Sequence, residues 1–467
     1  MKKLLAMLLI LALTAGCCFA ASSAETAEEN DTGPFTSGDY RYILQEDGTA
    51  KIVHYSGSAV ELVIPEELDG YSVTAIGERA FGGCHTLADV TIPDCVTDLV
   101  NNPFVYCTNL LDFHVSPDHP NLAAVNGVLF RKPDKLLVAY PCGSPAESYT
   151  VPEGIREIGY EAFYNAAALT GVTIPETVTT IRDRAFAYCY NLAGITIPDS
   201  VTFVGINPFV SCNSLTAIHV SPDHPYLATI NGVLFSKTDK RLIYYPGNAD
   251  AKTYEIPNGI EIIGGWAFYE CKNLTGISIP DSVTHIGTAA FSFSEALREI
   301  VIPDSVVSLG HEVFSGCKSL TRAVLSDELS IIGNNAFYGC SALTEISIPS
   351  GLTVFGDRAF YGCSSLAGIS IPENVTIIGN EVFSGCSTLT SVTLPDPVNV
   401  IGDRAFFGCC SLTDLAIPEG VAKIGLGTFD GCEKLTVTVI RDSYAAQYCK
   451  ENGVQYTYPD ALDWLNN

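Results

Sequence analysis

Seventeen cysteines stand in this chain of 467 residues, and many of them share one address. Cys84, Cys107, Cys189, Cys212, Cys271, Cys317, Cys340, Cys363, Cys386, Cys409 and Cys432 each follow a phenylalanine by three residues. Thiols at fixed spacing could hold metal ions or close disulfides. They could also be small buried side chains that fill one slot per unit. Ala166 and Ser294 take the same address in two further units, which fits a packing slot and not a ligand. Side chains that run parallel in a packed slot lie alongside one another, so free thiols are the expectation.

Histidine supplies a second signal. His114 with His119, and His219 with His224, form two matching pairs, each beside an aspartate, Asp118 or Asp223. An Asp-His-Pro run reads as a turn. A metal site would want a further ligand at recognisable spacing, so no metal is expected. Carboxylates supply the third signal. Glu299, Arg322 and Glu345 hold one position in three successive units. Two-carboxylate glycan chemistry needs its acids about 5–9.5 Å apart. With Arg322 between them, an ion ladder is the better reading. The chain has no Gly-rich phosphate loop, G-x-S-x-G elbow or H-E-x-x-H pair. We therefore read it as a non-enzyme with no catalytic residues and no cofactor. A glycan-active solenoid enzyme and a purely structural envelope protein are the alternatives.

These residues are positioned by a repeat. Phenylalanine recurs every 23 residues at Phe268, Phe291, Phe314, Phe337, Phe360, Phe383, Phe406 and Phe429. The same step links Phe81 to Phe104, and Phe163 to Phe186 to Phe209. Thirteen registered units at a fixed period mark a solenoid. Within one unit, Leu343, Ile346 and Ile348 follow an L-x-x-L-x-L pattern, a short strand that Pro349 ends. Ile332 opens a second apolar patch, and Ala336, Phe337 and Cys340 suit a short helical or 3₁₀ turn. Stacking on neighbours must bury the apolar side of each unit, with strands about 4.8 Å apart in a parallel ladder.

Two gaps of 59 residues, Phe104 to Phe163 and Phe209 to Phe268, interrupt the period. Both contain S-P-D-H-P and N-G-V-L-F, so a block of 105 residues is duplicated. The extra pieces, about 116–150 and 221–255, read as β-hairpins extending one coil. The solenoid spans 81–439. Residues 36–80 form an N-terminal hairpin cap and a first degenerate repeat, with Asp47-Gly48 at the hairpin turn. Residues 440–467 form a C-terminal helix-strand cap and tail, with Ser443 as N-cap and Gly453 as stop.

Residues 1–24 read as a signal peptide, with Lys2 and Lys3 before an apolar run too short to span a bilayer. Two processing routes fit. Cys18-Phe19-Ala20 and Ser22-Ser23-Ala24 suit ordinary cleavage, and Thr14-Ala15-Gly16-Cys17 resembles a lipobox. In the second case a lipid anchor on Cys17 is the chain's one link to a membrane. Residues 25–35 are an acidic linker. Charged residues make up 16% of the chain, and 25 basic against 52 acidic side chains give a net charge of −27. That balance argues against nucleic acid, which wants a basic patch.

The unit I-G-x-x-A-F-x-G-C-x-x-L-T-x-I-x-I-P resembles the BspA-type leucine-rich repeat of bacterial surface proteins. The D-G-T-A hairpin, the N-G-V-L-F insert and the S-Y-A-x-x-Y end piece are similar to the same family. The resemblance covers roughly residues 36–458. It implies a right-handed leucine-rich-repeat solenoid, mostly β, that is exported to the surface or secreted. It also implies a role in binding an extracellular protein or glycan, in some members adhesion to host matrix. The candidate binding surface has two parts. Around the inserts it comprises His114, His119, Arg131, Lys132 and Tyr140, then His219, His224, Lys237, Lys240, Arg241 and Tyr245. On the strand face it comprises Glu299, Arg322 and Glu345. Scarce basic residues and exposed tyrosines on inserted loops are what recognition would use. The outward strand positions, such as Asp89 and Thr91 or Asp112 and His114, are the competing surface.

Overall fold

A computed structural model of the chain describes residues 33–459. The leader, Cys17 and the linker up to residue 32 lie outside the described residues, as does the tail from residue 460. The chain winds through about 18 turns. Each repeat phenylalanine is buried, from Phe81 to Phe429, and neighbouring rings stack along the axis. Phe337 lies 5.3 Å from Phe360 with an interplanar angle of 3°.

Two parallel ladders hold the coils. The first is built from the L-x-x-L-x-L strands. Gly171–Thr173, Gly194–Ile197 and Ala217–Val220 pair in register, as do Glu299–Val301, Arg322–Val324 and Glu345–Ser347. The second uses two residues per coil: Ile331–Ile332, Val354–Phe355, Ile377–Ile378, Val400–Ile401 and Lys423–Ile424. Its second residue is buried in every coil, while Ile331, Val354 and Ile377 face solvent. Two residues carry no readable alternation, so this ladder was a bare apolar patch in the sequence.

The corner beneath the phenylalanine uses 3₁₀-type bonds at alternate residues. The N–H groups of Ala336, Tyr338 and Cys340 donate to the carbonyls of Gly333, Asn335 and Phe337. The residues between them donate to the next coil: Asn335 to Asp357, Phe337 to Ala359 and Gly339 to Tyr361. That alternation needs left-handed backbone at Asn335 (φ 54°) and Gly339 (φ 68°). A continuous helix is thereby excluded, and turns of this kind add a third line of bonds between coils. That line breaks before each insert, where the Phe104 and Phe209 N–H groups donate instead to the Asn102 and Asn207 side chains.

The N-terminal cap is an antiparallel meander of Phe35–Ser37, Tyr40–Leu44 and Ala50–Tyr55. Its last strand joins Tyr71–Ile76 in parallel. At the other end the helix Tyr444–Asn452 starts where the Ala446 N–H donates to Ser443 Oγ and stops at Gly453 (φ 69°). Tyr456–Thr457 then closes the strand ladder.

Each insert is more than a hairpin. Leu122–Val125, Val128–Arg131 and Leu136–Ala139 form an antiparallel meander, and the third strand pairs in parallel with Glu157–Ile158. Leu227–Ile230, Val233–Ser236 and Arg241–Tyr244 repeat the pattern. The third strand is thus a rung of the second ladder, buried along most of its length. The apolar core of the described residues divides into three large clusters that meet at these inserts and a small fourth one, Val105, Tyr164, Ala187 and Val210.

The coils on either side of an insert touch each other at the turn face. Tyr106 packs edge-on against Tyr164 at 4.5 Å, and Asn102 Nδ2 donates to the Glu161 carbonyl. Glu161 is fully buried there and binds Arg79 at 2.5 Å and Arg184 at 2.9 Å. In the duplicate, Asn207 Nδ2 donates to the Trp266 carbonyl, and the Arg184 guanidinium lies 5.6 Å from the Trp266 ring. An ion pair and a cation–π contact solve the same packing problem.

Candidate functional site

The cysteine column is a packing slot with a hydrogen-bonding task. Cys317, Cys340, Cys363, Cys386, Cys409 and Cys432 each donate S–H to the carbonyl of the phenylalanine one coil back, at 3.0–3.3 Å. Ser294 does the same for Phe268 with its hydroxyl at 2.6 Å. The slot therefore asks for a small donor that satisfies a buried carbonyl, which explains serine as a replacement. All cysteines among the described residues are free. Burial pushes the Cys317 and Cys386 thiols up to about 12. A thiol held protonated is a poor nucleophile. Alkylation of the native protein should therefore modify the exposed Cys410 first and spare Cys317 to Cys409. A regular series of inter-coil disulfides in non-reducing mass spectrometry would refute this reading.

Several residues expected on a binding surface belong to the core. Tyr140 and Tyr245 are buried and stack on Phe163 (5.2 Å) and Phe268 (4.9 Å). They sit 23 residues before those rings, so each takes the phenylalanine place in the insert coil. Burial pushes the Tyr245 phenol up to about 12. His119 and His224 are also fully buried. His119 Nδ1 accepts from the N–H groups of Asn121 and Leu122, and His224 Nδ1 from those of Tyr226 and Leu227. They cap the turn into the insert and are unavailable as partners of His114 and His219. His224 Nε2 meets the Pro198 carbonyl at 3.1 Å, whereas His119 Nε2 has no partner among the described residues.

The basic residues of the inserts are engaged locally. Lys132 and Lys237 donate to the carbonyls of His119 and His224 at 2.6 Å. Arg131 pairs with Asp134 and reaches the Leu99 carbonyl. Arg241 pairs with Asp239 and reaches the Val204 carbonyl, and Lys240 pairs with Glu261. These contacts stabilise the inserts and leave less free positive charge than the sequence suggested. On the strand face Arg322 lies in register between Glu299 and Glu345 and bonds Glu345 at 3.1 Å. Of the expected ion ladder one rung, Arg322 to Glu345, is formed among the described residues, and exposed pairs of this kind contribute about 0–1 kcal/mol.

What the fold does bring together lies at the N-terminal end of the strand face. Glu61, Asp89 and Asp112 stand in register on three strands, as do Val63, Thr91 and His114. His114 Nε2 is 3.4 Å from Asp89 Oδ1. The first insert leans over this edge. Its turn residue Gly127 (φ 76°) comes so near that a Cβ there would lie 3.2 Å from Asp112 Oδ1. The result is an open groove of about 760 Å³, lined by Val63, Thr91, Pro93, Asp112, His114 and Gly127 among others. His114 was foreseen; the two aspartates were visible only as outward strand positions. Their convergence depends on coil-to-coil register, which a single repeat does not reveal.

A family model described as "BspA type Leucine rich repeat region" matches residues 55–132, 140–251, 244–367 and 355–451. Among solved structures, a leucine-rich repeat protein from Bacteroides ovatus is 23% identical, with 91% of this chain and 99% of that one covered and a TM-score of 0.41. A leucine rich cell surface protein from Faecalibacterium prausnitzii is 26% identical, with 93% and 99% covered and a TM-score of 0.34. The pneumococcal vaccine antigen PcpA is 20% identical, with 91% and 98% covered and a TM-score of 0.43. A search of curated proteins finds no match.

Proposed function

Because this chain belongs to the BspA type leucine rich repeat family, we propose that it is an exported binding protein. Its partner is an extracellular protein or glycan, with adhesion to host matrix as the specific form. A cell-surface position is in keeping with the description of the F. prausnitzii relative. The observation that carries the reading is the groove between the first insert and the strand face. It combines an exposed apolar row member, Val63, with the carboxylate of Asp112 and the imidazole of His114. An apolar contact flanked by a few convergent polar groups is how recognition sites are built. Partner contact is thus assigned to the strand edge beside residues 116–150, with the second insert, 221–255, as its weaker duplicate.

The test is capture of matrix proteins and glycans by the immobilised chain. Saturable binding is expected, and Val63→Asp should weaken it at least about fivefold, a central interface residue being worth more than about 1 kcal/mol. Leu426→Asp, at an exposed position near the other end, is the control. Equal losses in both variants would move the partner off this groove.

A further inference from the structure

We propose that Asp89, Asp112 and His114 form a binding site for one divalent first-row transition cation. One donor atom from each comes within 4.8 Å of the others, and among the described residues this is the one such group of His, Cys, Asp and Glu. An ion about 2.0–2.2 Å from each ligand sets its donors roughly 3–4 Å apart. The 3.4 Å between His114 Nε2 and Asp89 Oδ1 already falls in that range. The Asp112 carboxylate lies within 4.8 Å of both of these donors. Two carboxylates and an imidazole suit manganese, iron or zinc better than calcium or magnesium, which prefer oxygen alone. Two of the three ligands, Asp112 and His114, line the open groove, while Asp89 stands in register beside Asp112.

Charge points the same way. Elsewhere on this face acids are interleaved with a base, as in Glu299–Arg322–Glu345. Here Glu61, Asp89 and Asp112 stack in register with like charge, which is destabilising without a cation between them. The duplicated block supplies a control within the molecule. Its counterpart positions are Gly194, Ala217 and His219: the histidine is kept and both carboxylates are gone. The groove wall differs too. The carbonyl of Pro198, the counterpart of the groove residue Pro93, accepts from His224 Nε2 at 3.1 Å, whereas His119 Nε2 in the first copy has no such partner among the described residues. The site would exist once per chain, at the end where the strand face begins.

The inference stands apart from the adhesion reading, since its test needs no macromolecular partner. Mn²⁺ is the probe, because its free-ion EPR signal disappears on binding and buried thiols are poor ligands for it. Titration of the chain should show one equivalent bound. Asp112→Asn and His114→Gln should each raise the dissociation constant at least about tenfold, while His219→Gln leaves it unchanged. These side chains lie at the surface, and circular dichroism of each variant checks the fold. Absence of stoichiometric binding would overturn the proposal. So would binding that His114→Gln does not weaken, which is what diffuse attraction to an acidic chain would give.

Discussion

Replacing Phe337 by alanine is expected to destabilise the protein by about 3–5 kcal/mol, the usual transfer-plus-cavity cost for a buried ring. Phe337 is fully buried and lies between Phe314, 5.2 Å away, and Phe360, 5.3 Å away. Its backbone bonds the next coil, and its carbonyl accepts from the Cys363 thiol. Removing the ring opens a cavity that two rigid coils cannot close. Because each coil touches only its neighbours, the damage should stay local. Denaturant unfolding gives the size of the loss. Hydrogen exchange should show protection falling first between about residues 314 and 383. A loss under about 1 kcal/mol would mean that the inside and outside of the coil have been exchanged.

That ring was legible in the sequence because a 23-residue period carries its own proof. Extending the register one step back from Phe163 and Phe268 would also have placed Tyr140 and Tyr245 in the core. They look exposed only when read as part of an inserted loop. The left-handed corner residues were not legible. Arg184, Trp266 and Glu312 adopt φ near 55° at the address that Asn335 holds, and none is a residue type that favours that region. Bonds to the next coil impose the conformation. The buried histidines illustrate the same limit. Asp-His-Pro announces a turn, but only the folded chain shows the imidazole capping two N–H groups. At the groove, His114 could be singled out by type, whereas Asp89 and Asp112 acquire meaning from a pairing register between coils.

Glu161 is the clearest case of a residue whose role no local pattern could announce, and its removal should cost as much as that of a core ring. Its partner Arg79 is 82 residues away in sequence. The two meet only because the first insert brings flanking coils together at the turn face. Glu161→Ala leaves the guanidinium of Arg184 largely buried and without its carboxylate, so a loss of about 3–5 kcal/mol at neutral pH is expected. Glu161→Gln should cost less. Oε1 takes both Arg79 Nη2 and Arg184 Nη2, and an amide oxygen can keep those contacts, so that only the Arg79 Nε bond to Oε2 is lost. The two substitutions also separate charge from packing. Burial pushes the Glu161 carboxyl above the ordinary carboxylate range, and the two guanidiniums offset this only in part. The folded chain then holds this proton to a higher pH than the unfolded chain does. Its contribution to stability is full below the ordinary glutamate pKa, about 4.3, and declines as pH rises through the folded value. Glutamine cannot ionise, so the parent should lose stability relative to Glu161→Gln over an interval that begins near the ordinary glutamate pKa, about 4.3, and extends upward from it. Paired melting curves across that interval measure the difference. A parent that instead gains on Glu161→Gln as pH rises would show that Arg79 and Arg184 outweigh burial and hold the carboxylate charged.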